Sequence, residues 1–181
     1  MPRKYEQKAR AAAQEETKRR ITEATVELHR TAGPARTTIS AIAERAGVQR
    51  LTVYRHFPEE RDLLAACNAH WLGADPPPDF SSWTELGPAL RELYAWYRRN
   101  EAMLANTARD APSLPALAEI ADPTPLLTAA QSALMRGLPR RKRVRAALGH
   151  ALEFSTWRSL AGQGLTDAAA ASLMAGFVTR A

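Results

Sequence analysis

Cysteine is nearly absent from this chain, since Cys67 is the only one among 181 residues. No intrachain disulfide can form, which excludes the small disulfide-stabilised folds of secreted proteins. No apolar run approaches the roughly 20 residues of a membrane-spanning helix, and the basic N-terminus lacks the apolar core of a signal peptide. These absences predict a protein of the reducing cytoplasm that does not span a membrane.

Signatures of catalysis and metal binding are also lacking. The four histidines stand far apart in sequence, without partners at metal-ligand spacing, and neither a Gly-x-Ser-x-Gly motif nor a phosphate-binding loop occurs. Cys67 has no local signature, and its two interpretations are a small residue of a helix or a redox sensor. We therefore expect a protein that is not an enzyme and that holds no cofactor and no metal.

The composition fits ordinary folded domains with a basic surface. Hydrophobic residues make up 45% and charged residues 24% of the chain, which suits one or two small domains. The formal net charge is +6. Residues up to Ala74 hold 13 basic and 9 acidic side chains, against 12 and 10 in the remainder, so the excess lies towards the N-terminal part. Such a surface favours a polyanionic partner.

Hydrophobic periodicity is helical throughout and predicts an all-α protein of nine or ten helices. Residues 1–16 are polar and basic, which predicts a flexible arm that is either frayed or in contact with DNA. Three consecutive prolines between Asp75 and Asp79 cannot continue a helix and mark a boundary. The predicted limits are an arm at 1–16, a domain at 17–74 and a second domain at 80–181.

The stretch from Thr37 to Phe57 has the pattern of a helix-turn-helix. Thr37 or Thr38 can cap a first short helix, and Gly47 follows its last periodic residue, where a left-handed conformation would end the helix. A second helix from about Arg50 to His56 has Val53 and Phe57 as inward anchors. Its other side chains are polar or amphipathic and suit a DNA groove.

Residues 17–72 resemble the DNA-binding domain of the TetR family of transcriptional repressors. The resemblance rests on Thr-Thr before the second helix, Ile-Ala-Glu-Arg-Ala-Gly-Val at the turn and Thr-Val-Tyr-Arg-His-Phe at the end of the third helix. It implies an N-terminal helix-turn-helix domain of about four helices and a C-terminal helical domain of about five or six. It also implies a homodimer that blocks transcription at a double-stranded DNA operator until a small molecule binds the second domain.

The resemblance also indicates which side chains contact DNA. In the family pattern, Gln49 and Arg50 lie nearest the bases, whereas Tyr54 and His56 mainly contact phosphates. Their chemistry agrees, because Arg pairs with guanine, Gln pairs with adenine, and hydroxyls or ring nitrogens can bind phosphate oxygens. The predicted DNA-binding residues are Thr38, Gln49, Arg50, Thr52, Tyr54, Arg55 and His56.

Three positions depart from the family pattern. Gln49 stands where the family commonly has a Ser or Asn-like cap, and Leu51 stands where it has a small residue. Glu60 stands where the family usually has Lys or Arg, and the sequence leaves open whether this change removes a phosphate contact. Arg61 offers two alternatives at this point, a substitute contact or an ordinary solvent-facing arginine.

The second domain contains many aromatic side chains, which serve equally well as core residues or as the wall of a ligand pocket. The predicted ligand-contacting residues are Tyr97, Phe154 and Trp157. If the aromatic residues form only a core, the protein would be a constitutive dimeric DNA-binding protein with no small-molecule ligand. The sequence identifies neither the ligand nor the operator.

A homodimer through the two C-terminal helices is predicted from their small residues and from the family. The first runs from Arg140 to Ala161, and Thr166 caps the second, which ends near Arg180. Small side chains let helix backbones approach closely in a four-helix arrangement. The predicted interface residues are Ala147, Leu148, Ala151, Leu152, Ser155, Ala169, Ser172, Leu173, Gly176 and Phe177.

Overall fold

The computed structural model describes residues 2–181, with side chains described from Gln7 onward. Over this range the chain forms eleven α-helices and no β-strand, which confirms the all-α prediction. The helices are α1 (Pro2–Thr31), α2 (Ile39–Ala46), α3 (Arg50–His56), α4 (Glu60–Ala74), α5 (Leu86–Arg99), α6 (Glu101–Asp110), α7 (Pro115–Ile120), α8 (Thr124–Leu134), α9 (Lys142–Leu152), α10 (Phe154–Gly162) and α11 (Asp167–Arg180). No helix among the described residues combines the length and apolar character needed to cross a membrane.

The chain divides into two compact units. Unit 1 contains the residues up to Pro76 together with Ala105–Ala121, which we call the return segment. Unit 2 contains Pro77–Leu104 and Asp122–Ala181. The return segment lies in the part of the sequence that was assigned to the second domain. The domain limits derived from the sequence stay a prediction.

The core of unit 1 is built from the amphipathic faces of α1 to α4. Ile21 of α1 and Val53 of α3 are fully buried, and Ile42, Phe57 and Leu63 are almost so. Burial of side chains of this size stabilises the fold by about 1.5–3 kcal/mol each. This core holds the short helices α2 and α3, which are too short to be stable alone.

Residues 2–16 continue α1 as a helix, and the flexible arm derived from the sequence stays a prediction. The segment is rich in alanine, the best helix former, and the helix is already fixed by the buried face that starts at Ile21. Lys8 and Arg10 are exposed on it. The arm's other two basic residues, Arg3 and Lys4, have side chains outside the described part.

The return segment holds the end of α1 in place within unit 1. The Asn106 amide donates to the backbone carbonyls of His29 and Arg30 at 3.0 and 2.9 Å. The Asp110 carboxylate accepts from the backbone N–H of Ala35 at 3.0 Å. The last carbonyls of a helix have no hydrogen-bond donor inside the helix. At the end of α1 a side chain of the return segment provides the donors.

In unit 2, the long penultimate helix predicted from the sequence is wrong, because it is interrupted. Glu153 has an extended backbone (φ −67°, ψ 135°) and separates α9 from α10. The hydroxyl of Tyr94 donates to the Ala151 carbonyl at 2.7 Å, and that of Tyr97 donates to the Leu152 carbonyl at 2.6 Å. Two buried tyrosines thus satisfy carbonyls that a continuous helix would have paired itself.

The predicted dimer residues of unit 2 lie on three helices, with Ser155 exposed on α10 and the others on α9 and α11. Those of α9 are buried by unit 2 itself, and they are not free to form a subunit interface: Ala147, Leu148, Ala151 and Leu152. Because the chain breaks at Glu153, α9 is a separate helix, and these four side chains pack into the core of unit 2. On α11, by contrast, Leu173 and Phe177 are about half exposed.

Candidate nucleic-acid interface

The turn between α2 and α3 has the geometry that its sequence predicts. Thr38 has an extended backbone, and its hydroxyl accepts from the Ala41 N–H at 3.2 Å, so it caps α2. Gly47 has a left-handed backbone with φ 63°, which a residue with a side chain adopts only at a cost. Both predictions are confirmed, and together they fix where α2 ends and α3 begins.

An arginine of α1 stabilises the same turn, and the sequence analysis did not identify it. Arg20 donates to the carbonyl of Ala46 and, at 3.1 Å, to that of Gly47. These carbonyls belong to the C-terminal end of α2, where the helix dipole favours a cation. The guanidinium comes from 26 residues earlier, so no local pattern could reveal the contact.

Helix α3 is anchored on one side and free on the other. Val53 is fully buried and Phe57 nearly so, as predicted. Of the predicted DNA-binding residues, five are exposed, namely Thr38, Gln49, Arg50, Tyr54 and Arg55, and two are half-buried, namely Thr52 and His56. The structure therefore places the seven residues on the helix-turn-helix with most of their side chains available to a partner.

The two arginines of α3 are not held by an acidic side chain of the described part of the protein. Within the described residues, no carboxylate lies within ion-pairing distance of Arg50 or Arg55. Elsewhere in unit 1, Arg19 of α1 pairs with Glu16 and Glu23 of the same helix. Arg45 of α2 pairs with Glu27 of α1. Cations without internal partners keep their full charge for an external anion such as a phosphate.

Leu51 is the most exposed large hydrophobic residue of α3, with 73% of its surface accessible. The sequence analysis noted it only as a departure from the family pattern. It follows Arg50 directly in the first turn of the helix. An aliphatic side chain in this position can contact the methyl group of thymine in the major groove, which adds a candidate base contact. The sequence contained a sign of this contact, because Leu51 is an apolar residue between the polar residues Arg50 and Thr52.

Arg61, which follows Glu60 at the start of α4, forms an ion pair within unit 1. Arg61 donates two hydrogen bonds to the Glu119 carboxylate at 2.6 and 2.8 Å, and this pair raises the pKa of the guanidinium. Its charge is therefore engaged inside unit 1 by the return segment. The side chain is solvent-facing and 54% exposed, so the pair with Glu119 is a surface ion pair, and a substitute phosphate contact by Arg61 stays a prediction. Glu60 itself remains exposed.

The three predicted ligand-contacting residues come together in unit 2. The ring centroids of Tyr97 and Phe154 are 5.4 Å apart, those of Tyr97 and Trp157 are 5.9 Å apart, and those of Phe154 and Trp157 are 5.6 Å apart. Tyr97 and Trp157 are buried, whereas Phe154 is half-buried. The Trp157 indole N–H donates to the Asp167 carboxylate at 3.0 Å, so the polar atoms of both buried rings are already paired.

The single cysteine lies in unit 1 beside a histidine. The Sγ atom of Cys67 is 3.3 Å from Nδ1 of His29, and both side chains are buried. Burial raises the pKa of the thiol to about 12 and lowers that of the imidazole to about 4. Both groups are therefore neutral at pH 7, and the low thiolate fraction disfavours the redox-sensor interpretation. Among the described residues no group of three or more His, Cys, Asp or Glu side chains is placed to hold a metal ion.

Comparison with known proteins locates the similarity in unit 1. The family model for bacterial regulatory proteins of the tetR family matches residues 21–67. No curated protein matches the sequence. The crystal structure of a TetR transcriptional regulator from Rhodococcus sp. RHA1 aligns with 92% of this chain and 95% of that chain, at 20% identity and a TM-score of 0.45. The matched residues begin in α1, include the whole helix-turn-helix and end at Cys67, so the similarity to the tetR family of regulatory proteins lies in the helix-turn-helix region.

Proposed function

We propose that the protein is a cytoplasmic homodimeric repressor that binds a palindromic operator and is released from it by a small molecule. The observation that supports this most directly is the exposed face of α3, with two arginines that have no internal acidic partner. A single helix of seven residues reads too few base pairs for useful specificity. Two copies related by a two-fold axis would read both halves of a palindrome.

In this proposal Gln49 and Arg50 read base edges in the major groove. Arg50 would donate to O6 and N7 of a guanine, and Gln49 would pair with an adenine. Tyr54 and His56 would contact phosphates, which fix the position of α3 without reading sequence. The remaining predicted contacts, those of Thr38, Thr52 and Arg55, would also lie along the sugar-phosphate backbone.

The dimer would form through the exposed face of α11 rather than through the buried residues of α9. Leu173 and Phe177 are 49% and 48% exposed, and Gly176 lies between them. A two-fold interface brings the same patch of each subunit together, so one apolar strip buries itself against its copy. The exposed Ser172 and Ala169 continue this strip with small side chains.

The ligand would bind beside the aromatic cluster of unit 2. Because the hydroxyl of Tyr97 and the indole N–H of Trp157 are paired within the protein, these residues would offer ring faces rather than hydrogen bonds. Phe154 is the most accessible of the three. An apolar, partly aromatic molecule fits such a wall best.

Two measurements test the proposal. Selection of bound duplexes from a random-sequence pool by the full-length protein should return a palindromic consensus. A metabolite library screened by thermal shift should then include a compound that raises the melting temperature and lowers affinity for that consensus. Enrichment of single, non-palindromic sites would contradict the dimeric mode of reading.

The alternative is a constitutive dimeric DNA-binding protein without a small-molecule ligand. The observation that favours it is the internal pairing of Tyr97 and Trp157, which is also what a purely structural aromatic core requires. A thermal-shift screen in which no compound changes both stability and operator affinity would support this alternative over the inducible repressor.

A further inference from the structure

Unit 1 contains a cavity of about 300 Å³ to which the proposed repressor mechanism assigns no ligand. It lies between the end of α1, the start of α2 and the junction of α3 with α4, and Leu114 of the return segment contributes to its wall. A volume of this size is at the lower end of the range of small-molecule sites. The cavity is therefore large enough for a small organic molecule.

The wall combines an apolar surface with acidic groups. Ile42, Phe57 and Leu63 are buried side chains that also line the cavity. Glu59 and Glu60 contribute exposed carboxylates to the same wall. None of the lining residues in this described region is a lysine or arginine, although the whole chain carries a net charge of +6. An apolar wall with two carboxylates is complementary to a cation that has an apolar body.

A buried imidazole adds a polar group to this wall. His29 lines the cavity with only 5% of its surface accessible. Its Nδ1 is occupied by Cys67, whereas no described residue provides a hydrogen bond to Nε2. No fully buried side-chain nitrogen in the described chain lacks a partner, so Nε2 keeps some contact with open space, and His29 is one of the residues that line the cavity. A neutral imidazole can accept a hydrogen bond there when Nδ1 carries the proton.

We propose that this cavity binds a small amphiphilic amine. The apolar part of the amine would pack against Phe57 and Leu63, and its ammonium group would pair with Glu59 or Glu60. Nε2 of His29 would accept a hydrogen bond from an N–H group of the ligand. A neutral molecule of the same shape would lose the ion pair, and a carboxylate would be repelled.

The test uses three probes with similar skeletons and different charge, namely phenethylamine, 2-phenylethanol and 3-phenylpropanoate. The full-length protein is labelled at its leucine and isoleucine methyl groups, and each probe is titrated while the methyl signals of Leu63, Leu64 and Ile42 are followed by NMR. Phenethylamine should cause saturable shifts, with an affinity at least about fivefold above that of the alcohol and of the carboxylate.

Variants then locate the site. The double substitution Glu59→Gln and Glu60→Gln should weaken phenethylamine about fivefold or more, whereas Glu44→Gln, an exposed carboxylate on α2 outside the cavity, should leave its affinity unchanged. Leu114→Trp, which fills the cavity, should abolish the shifts while the rest of the methyl spectrum stays dispersed.

Three results would overturn the proposal. They are the absence of saturable shifts with phenethylamine at millimolar concentration, equal affinity for all three probes with no effect of the double substitution, and undiminished binding to the Leu114→Trp protein. The titrations contain no DNA, so their outcome does not depend on whether the proposed operator binding is correct. Tyr54 also lines the cavity, so a gel-shift assay with phenethylamine would show separately whether occupancy changes DNA affinity.

Discussion

Two helices of this protein expose large apolar side chains to a similar extent, yet their surroundings differ. On α3, Leu51 and Tyr54 are 73% and 46% exposed, and on α11, Leu173 and Phe177 are 49% and 48% exposed. The residues around the first pair are basic or amide side chains. Those around the second pair are mostly small and uncharged, with Gly176 between them, and one cation, Arg180, reaches to Gly176.

This difference indicates which partner each face would accept. Cations without internal partners beside an apolar side chain suit the polyanionic groove of DNA, where phosphates bind the charges and thymine methyl groups meet the apolar atoms. A strip of apolar and small residues with a single cation at its end would be costly to leave in water and suits a second protein surface. Exposure alone does not distinguish the two faces, whereas the charge of the neighbouring residues does.

The strongest test of this comparison is Gly176→Arg, which places a long cation in the strip on α11. A Cβ atom at this position would meet only the flexible end of Arg180, 3.3 Å away, so the subunit should still fold. We expect a helical monomer whose affinity for a palindromic site falls about 100-fold or more, because the two half-sites are no longer linked. Light scattering and fluorescence anisotropy measure the two effects.

Ser132→Arg on α8 is the matched control, because it adds the same charge at an exposed position of unit 2. That protein should remain dimeric and bind DNA as tightly as the unmodified chain. A Gly176→Arg protein that is still dimeric and still tight on its operator would show that the interface lies elsewhere.

The next test changes the stability of unit 1 without altering either exposed face. Burial lowers the pKa of His29 from 6.5 to about 4. Between pH 6.5 and pH 4 the imidazole is therefore protonated in the unfolded chain and neutral in the folded chain. Stability should therefore fall as the pH decreases from about 6.5 to 4, by roughly 3 kcal/mol from this group alone. Above pH 6.5 the contribution is constant.

Urea unfolding at pH 7 and pH 4 measures this contribution. His29→Gln should reduce the difference in unfolding free energy between the two pH values. An identical pH dependence in the His29→Gln protein would mean that the imidazole titrates normally in the folded state.

Arg50→Ala tests whether α3 reads sequence. Loss of a bidentate contact with guanine should cost about 1–3 kcal/mol per half-site and relax the base preference at one position. His56→Ala should instead weaken binding to all sequences about equally, because a phosphate contact carries no sequence information. Site selection with each variant separates the two effects, and an unchanged consensus for the Arg50→Ala protein would contradict the assignment.

The helix-turn-helix could be predicted from the sequence because its signals are local. Thr38 lies three residues before the N–H that it caps, and Gly47 directly follows the helix that it ends. The buried positions of Val53 and Phe57 follow from helical spacing alone. The same local logic predicted the cap of α11 at Thr166 correctly, where the hydroxyl accepts from Ala169.

The features that could not be predicted depend on residues far apart in the sequence. The break between α9 and α10 needs hydroxyl donors from Tyr94 and Tyr97, which lie 57 and 55 residues before the carbonyls that they bind. The charge of Arg61 is engaged by Glu119, 58 residues later. Local periodicity contains no information about such distant partners. It therefore predicted a continuous helix and left the role of Arg61 open.

Leu51→Ala should have the smallest effect and gives the finest test of the comparison between the two faces. Leu51 is 73% exposed in the subunit, so its removal should change the free energy of unfolding by less than about 0.5 kcal/mol. If the side chain contacts a thymine methyl group, operator affinity should fall by about 1 kcal/mol, and the loss should occur only on sites that carry thymine at that position. Replacing that thymine by uracil, which lacks the methyl group, should weaken the unmodified protein and leave the Leu51→Ala protein unaffected. Anisotropy titrations of both proteins on both duplexes complete a double-mutant cycle between the side chain and the methyl group. A cycle with no coupling would remove Leu51 from the base-reading surface, and α3 would then depend on its polar and basic side chains alone.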